Sequence, residues 1–157
     1  MKHIISALVE NQPGVLARIV GLISGRGYNI DSLNVGPTQD PSVSRMTIEV
    51  PGDDRILEQV TKQLNKLVDV IKVTDLTKQA YVHRELLLIK VAVPPGKRSE
   101  IVELAYLFGG RIEAVTPHSL MVQVVDGGEK IAEFTELLKP YGILDLSRSG
   151  VTAMGKD

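Results

Sequence analysis

"NQPGVLARIVGLISGRGYNI", residues 11–30, decides how this chain folds. It follows "KHIISALVE" (2–10), an apolar run of strand length, and within it Leu16, Ile19, Val20 and Ile23 recur at the spacing of one helix face. The change of period across Asn11–Gly14 marks a strand-to-helix corner. Pro13 is expected at the first helical position, where its missing N–H is no loss. Gly25 and Gly27 are expected to end the helix, because glycine tolerates the left-handed backbone that a helix exit favours.

Working outward, "YNIDSLNVGPT" (28–38) reads as a second strand and "SRMTIEVP" (44–51) as a third. In the third, Met46, Ile48 and Val50 alternate with Arg45, Thr47 and Glu49, which predicts a sheet covered on one side only. "GDDRILEQVTKQLNKL" (52–67) carries Asp53 or Asp54 as helix N-cap and a stripe of Leu57, Val60, Leu64 and Leu67. "VDVIKVTDLT" (68–77) closes a βαββαβ unit of the ferredoxin-like α+β kind. The pattern then repeats. "ELLLIKVAV", "GGRIEAV", "HSLMVQVV" and "YGILDLSRSG" read as strands, and "PPGKRSEIVELAYLF" and "DGGEKIAEFTELLK" as helices. Two such units are expected, residues 1–77 and 85–157, each an antiparallel sheet with helices on one face. They are joined by "KQAYVHR" (78–84), which reads equally as a strand extension or a tether.

Composition removes several function classes. With 18 Lys and Arg against 19 Asp and Glu, the net charge of -1 gives no general attraction to nucleic acid or an anionic membrane. Aromatics are 4% of the chain and "RMTIEV" holds no ring, so the base-stacking strands of RNA-binding relatives of this fold are missing. The chain has no Cys, hence no disulfide, thiolate nucleophile or Cys-based metal site. No run approaches the ~20 apolar residues of a membrane span, and the N-terminus lacks a secretory cleavage pattern, so a cytoplasmic protein is expected. His3, His83 and His118 are scattered, with no HExxH pattern, and no serine sits in a GxSxG elbow. Gly25 and Gly27 follow a helix, the reverse of a dinucleotide-binding glycine loop. The sequence therefore predicts no catalytic residue and no metal ligand.

Residues 11–30 do suit a small zwitterion. Backbone N–H groups of Gly14, Val15 and Leu16 would be left unsatisfied at the start of the helix and could receive a carboxylate. Asn11 before the helix and Asn29 after it supply amides able to donate and accept. Val15, Leu16, Ile30, Leu33 and Val35 around them favour an aliphatic side chain. From residue types alone, plain turn chemistry explains Asn-Gln-Pro-Gly as well.

The stretch from "ENQPGVLARIVGLISGRGYNIDSLNVGPTQDPSVSRMTIEV" through "LEQVTKQLNKLVDVIKVTDL" and "HRELLLIKV" resembles the small, regulatory subunit of acetohydroxyacid synthase (acetolactate synthase) with its N-terminal ACT domain. The resemblance returns in "EAVTPHSLMVQV" and "RSGV" and is looser in the second half. It implies a non-catalytic subunit that activates a large catalytic subunit and confers feedback inhibition by a branched-chain amino acid, valine first among them. The implied effector site lies between two ACT domains of a homodimer. Asn11 and Gly14 would hold the effector's polar atoms, with Gln12, Pro13, Val15 and Leu16 beside them. Asn29 would reach in from the neighbouring chain next to Ile30. Thiamine diphosphate, magnesium and FAD are implied in the catalytic subunit, with no cofactor here. In the second half "VPPGKR" replaces the "NQPG" loop and "GGRIEA" replaces "RGYNI", so both asparagines are missing and the same ligand is not expected there. That unit would support the dimer or touch the large subunit, with a different ligand left open. The second strand is the expected dimer seam, and "VGPTQDPSVSR" (35–45) is either a surface for the large subunit or a plain hairpin loop. A free-standing amino-acid-sensing ACT module acting on another enzyme or regulator is the alternative.

Overall fold

The computed structural model describes residues 2–157, which form two βαββαβ units. In the first, β1 (Lys2–Glu10), β2 (Ser32–Pro37), β3 (Val43–Pro51) and β4 (Val70–Asp75) form an antiparallel sheet in the order β2-β3-β1-β4. Two helices, α1 (Val15–Gly25) and α2 (Asp54–Asn65), complete the unit. The alternation of β1 and β3 sends Ile5, Ala7, Val9, Met46, Ile48 and Val50 into one core with Val15, Ile19 and Ile23 of α1 and Leu57, Val60 and Leu64 of α2. Each fully buried aliphatic side chain contributes roughly 1.5–3 kcal/mol, which is why the pattern overrides local preference. The helix α2 starts where a carboxylate can cap it: Asp53 accepts hydrogen bonds from the N–H groups of Arg55 and Ile56.

The second unit repeats the plan. Its strands are β5 (Tyr81–Ala92), β6 (Arg111–Val115), β7 (Ser119–Asp126) and β8 (Ile143–Gly155), ordered β6-β7-β5-β8. Its helices are α3 (Arg98–Leu107) and α4 (Gly128–Leu138). Leu87, Ile89, Val91, Ile101, Ala105, Leu120, Val122, Val124, Ile131, Phe134 and Leu138 make its core.

Four boundaries differ from the sequence expectation. The second strand begins at Ser32, so Tyr28, Asn29 and Ile30 precede it as an irregular exit from α1. Strand β5 begins at Tyr81, inside the expected linker. The last strand runs on to Gly155. Compact packing groups Val151–Asp157 with the residues up to Val82, and His83–Gly150 separately, instead of leaving 85–157 whole. The reason is burial: Val151 and Ala153 pack with Ile4 and Leu76, and Tyr81 lies against them. These residues cover part of the face of the first sheet that alternation had assigned to water. Thr47 and Ser6 on that face are 2% and 3% exposed, which corrects the expectation of a sheet covered on one side. On this face Ser6 Oγ accepts from Arg45 Nη1 at 2.6 Å, and Ser32 Oγ accepts from the Val151 N–H at 2.7 Å.

Candidate functional site

The corner between β1 and α1 is a tight turn. The Val15 N–H reaches the Gln12 carbonyl at 3.4 Å and Gly14 takes φ 85°, ψ -9°. Proline followed by glycine in this conformation is the pairing a type II turn requires. Pro13 therefore sits in the turn and not at the first helical position, which belongs to Val15, with Gly14 as N-cap. No side chain caps this helix and no acidic residue lies in its first turn, unlike α2 with Asp53 and Asp54. The Val15 N–H, expected to be unsatisfied, is thus taken by the turn, and the Gly14 and Leu16 N–H groups are the ones left for a ligand, beside an exposed Gly14.

Asn11 is bound to the β2–β3 hairpin. Its N–H donates to the Ser42 carbonyl at 2.8 Å and its Nδ2 to the Pro41 carbonyl at 3.0 Å. That leaves Oδ1 and one amide hydrogen for a ligand. The hairpin has its own clamp, in which the Asp40 carboxylate accepts from the Ser42 N–H at 3.0 Å and the Ser42 hydroxyl at 2.7 Å. The Ser42 hydroxyl, and then its N–H, hold the Asp40 carboxyl below the usual aspartate range.

The aliphatic residues named from sequence divide into two groups. Val15 is 3% exposed and belongs to the core, and Ile30 and Leu33 are packed against it. Leu16 and Val35 remain 44% and 41% exposed and are the apolar groups available to a ligand. Leu16 also leaves the expected core stripe of α1, whose buried face is Val15, Ile19 and Ile23.

Asn29 stands at the other end of α1. Its Nδ2 donates to Asp31 Oδ1 at 2.9 Å. A helix of 11 residues is about 16 Å long, so Gly14 and Asn29 of one chain flank it from opposite ends and cannot hold the same small molecule.

One group was missed by sequence reasoning. Arg18 lies one turn beyond Gly14, its Nε 2.7 Å from Asp69 Oδ2, and its Nη1 is 3.1 Å from where a β-carbon on Gly14 would stand. A basic residue four positions after an exposed glycine was the available signal, since that spacing stacks the two on one helix face.

The corresponding corner of the second unit, Pro94–Lys97, keeps the turn. Gly96 has φ 76° and the Lys97 N–H reaches the Pro94 carbonyl at 3.0 Å. Its charges differ. Glu100 stands four residues after the glycine, bound to Lys97 at 3.0 Å and to the Tyr141 hydroxyl at 3.1 Å. Lys97 foremost, with Tyr141, lowers the Glu100 carboxyl, and Glu100 raises Lys97. A shallow, mostly apolar groove of ≈ 660 Å³ opens beside this corner, lined by Gly96, Arg98, Ser99, Val102, Glu103 and Tyr106. Concavity and the candidate loop thus fall in different units. The turn at Gly14 carries the leftover amides and the neighbouring cation, whereas the groove offers few polar groups, so the loop is the better candidate for a zwitterion.

Comparison with known proteins gives a consistent picture. Residues 5–72 match the family described as AHAS small subunit-like ACT domain, and residues 84–157 the family described as small subunit of acetolactate synthase. The probable acetolactate synthase small subunit of Methanothermobacter thermautotrophicus is 54% identical over 155 residues, 98% of this chain and 92% of that protein. The acetolactate synthase isozyme 3 small subunit of Escherichia coli K12 is 43% identical over 99% of this chain and 96% of its own length. The crystal structure of the acetolactate synthase small subunit from Thermotoga maritima is 37% identical, with TM-score 0.89, covering 100% of this chain and 98% of that one.

Proposed function

This chain belongs to the acetolactate synthase small-subunit family, a regulatory and non-catalytic subunit, and from that premise we infer that it senses a branched-chain amino acid, valine, at the corner between β1 and α1. The observation that carries the reading is the uncapped helix start at Gly14, with the Gly14 and Leu16 amides left over, no first-turn acid, and Arg18 and Asn11 alongside. A carboxylate is favoured there by aimed N–H donors and the helix dipole. The Asn11 Oδ1 suits the ammonium, and Leu16 and Val35 suit an aliphatic side chain.

The site is completed by a second copy of the chain. Asn29 lies at the wrong end of α1 to serve its own loop, and β2, which follows it, is an edge strand with unpaired backbone groups. Two copies joined along β2 bring Asn29 and Ile30 of one to the Gly14 loop of the other in a two-fold arrangement. The effector therefore binds at a subunit seam and biases how the copies sit.

The signal passes to the large catalytic subunit, which holds thiamine diphosphate, magnesium and FAD in this reading. The exposed hairpin around Asp40–Ser42 is the contact surface, because Asn11 ties the effector loop to it by two hydrogen bonds. Coupling of ~1–3 kcal/mol is typical between such sites, and linkage makes association with the large subunit alter effector affinity by the same factor. Residues 1–77 then form the sensing domain, and the unit after the 78–84 segment supports assembly.

Titration calorimetry on the full-length protein tests the reading. Valine, leucine or isoleucine should bind, with lysine and aspartate much weaker. Equal heats for all five would remove the apolar selectivity of the site. Copurification with a large thiamine-dependent enzyme separates this function from that of a free-standing sensor.

A further inference from the structure

We propose that Arg18, anchored by Asp69, is a specificity-determining residue that receives the effector's α-carboxylate and makes the loop select free amino acids over their amides. The proposal rests on the reading of the Gly14 corner as the effector site and deepens it. Arg18 closes the first helical turn, its N–H bonded to the Gly14 carbonyl at 3.0 Å. Long side chains on a helix lean toward its N-terminus, and here the guanidinium folds back over the glycine.

Its position is held from the far side. Asp69 is 9% exposed, and its carbonyl accepts from the Glu10 N–H at 2.9 Å, pinning the start of β4 beside the end of β1. The Asp69 carboxylate takes Nε at 2.7 Å, while Nη1, the nitrogen over Gly14, has no protein partner among the described residues. A guanidinium carries five N–H donors in a fixed fork, so one bond to Asp69 orients the rest without using them up. An anchored donor gains affinity because little freedom is left to lose on binding.

The second unit supplies an internal contrast. The turn at Gly96 also has a left-handed glycine, but its helix starts one residue later, at Arg98, and the residue four positions after the glycine is Glu100 instead of arginine. Glu100 is turned to Lys97 and Tyr141, and no described side chain apart from its chain neighbours comes within 4 Å of a β-carbon position on Gly96. Among the described residues, the Gly14 corner therefore holds a guanidinium over its glycine and the Gly96 corner does not, and that cation is what lets the first select an acid.

The experiment is calorimetry of the full-length protein with L-valine and with L-valinamide, which keeps the ammonium and side chain and lacks the carboxylate. Wild type should prefer valine, and Arg18→Gln should shrink that preference by roughly tenfold or more while leaving valinamide affinity near its starting value. Because Arg18→Gln strands Asp69, the double variant Arg18→Gln/Asp69→Asn is measured beside it and should show the same loss. An unchanged valine-to-valinamide preference in the folded double variant overturns the role of Arg18 and leaves the site standing. Absence of valine binding to the wild type overturns the site and the role of Arg18 together.

Discussion

Replacing Gly14 by alanine isolates the physical demand of the corner. Its φ of 85° is left-handed, where an L-residue loses about 1–2 kcal/mol relative to glycine. The new methyl would also stand 3.1 Å from Arg18 Nη1, so the guanidinium must move by a few tenths of an ångström against its 2.7 Å bond to Asp69. That side chain is half exposed, and a pair of this kind contributes only ~0–1 kcal/mol, so the backbone effect dominates. A total near 1–2 kcal/mol corresponds to a fall of roughly 2–8 °C in Tm for a chain of this size. Urea and thermal unfolding of Gly14→Ala should show it. Gly21→Ala is the control, because that glycine sits inside α1 with negative φ and nothing within 4 Å, and alanine there should stabilise by roughly 0.5–1 kcal/mol. Adding Arg18→Ala to Gly14→Ala should relieve the contact alone, so most of the loss persists. A Gly14→Ala protein as stable as wild type would mean that the turn is not left-handed in solution, and the leftover amides would lose their basis.

Asn29→Ala should weaken effector binding by roughly 1–3 kcal/mol with little change in Tm, since its bond to Asp31 is local and exposed; unchanged affinity in calorimetry would move the site elsewhere. Leu76→Ala should lower unfolding free energy by about 2–3 kcal/mol, the lower end for a buried leucine because its cluster with Ile4, Val151 and Ala153 is small. A neutral result would show that the end of β8 does not cover the first sheet. The Asp40 carboxyl is held low by Ser42 in the folded chain, so its contribution is complete above the ordinary aspartate value and is lost as pH falls through the folded one. Effector affinity should therefore decline below about pH 4 through loosening of the hairpin bound to Asn11, and Asp40→Asn should flatten that decline in a pH series. An identical decline in Asp40→Asn would assign it to another group.

Alternation and helical spacing along the chain were enough for the elements, the βαββαβ order and its repetition, because each apolar face must be buried and few layerings do so. Asp53 as a cap was equally legible, a short-range preference of the backbone. The start of the second strand was placed too early, since Tyr28 and Ile30 are apolar for a reason periodicity does not distinguish: they pack against the core from an irregular segment. Of the site, a Pro-Gly corner between strand and helix could be read directly, but Pro13 was expected at the first helical position and lies in the turn before it.

What sequence alone determined is thus whatever depends on near neighbours: element type, the cap of α2 and the Pro-Gly corner. Tertiary structure decided two further matters. It brought Asp69, 51 residues away, to fix Arg18 over Gly14. It laid Val151 and Ala153 against Ile4 and Leu76, so that a face with alternating polar residues is buried after all. Each of these is a meeting of distant segments, and the identity of a residue records its own preferences but not which remote side chain will stand beside it.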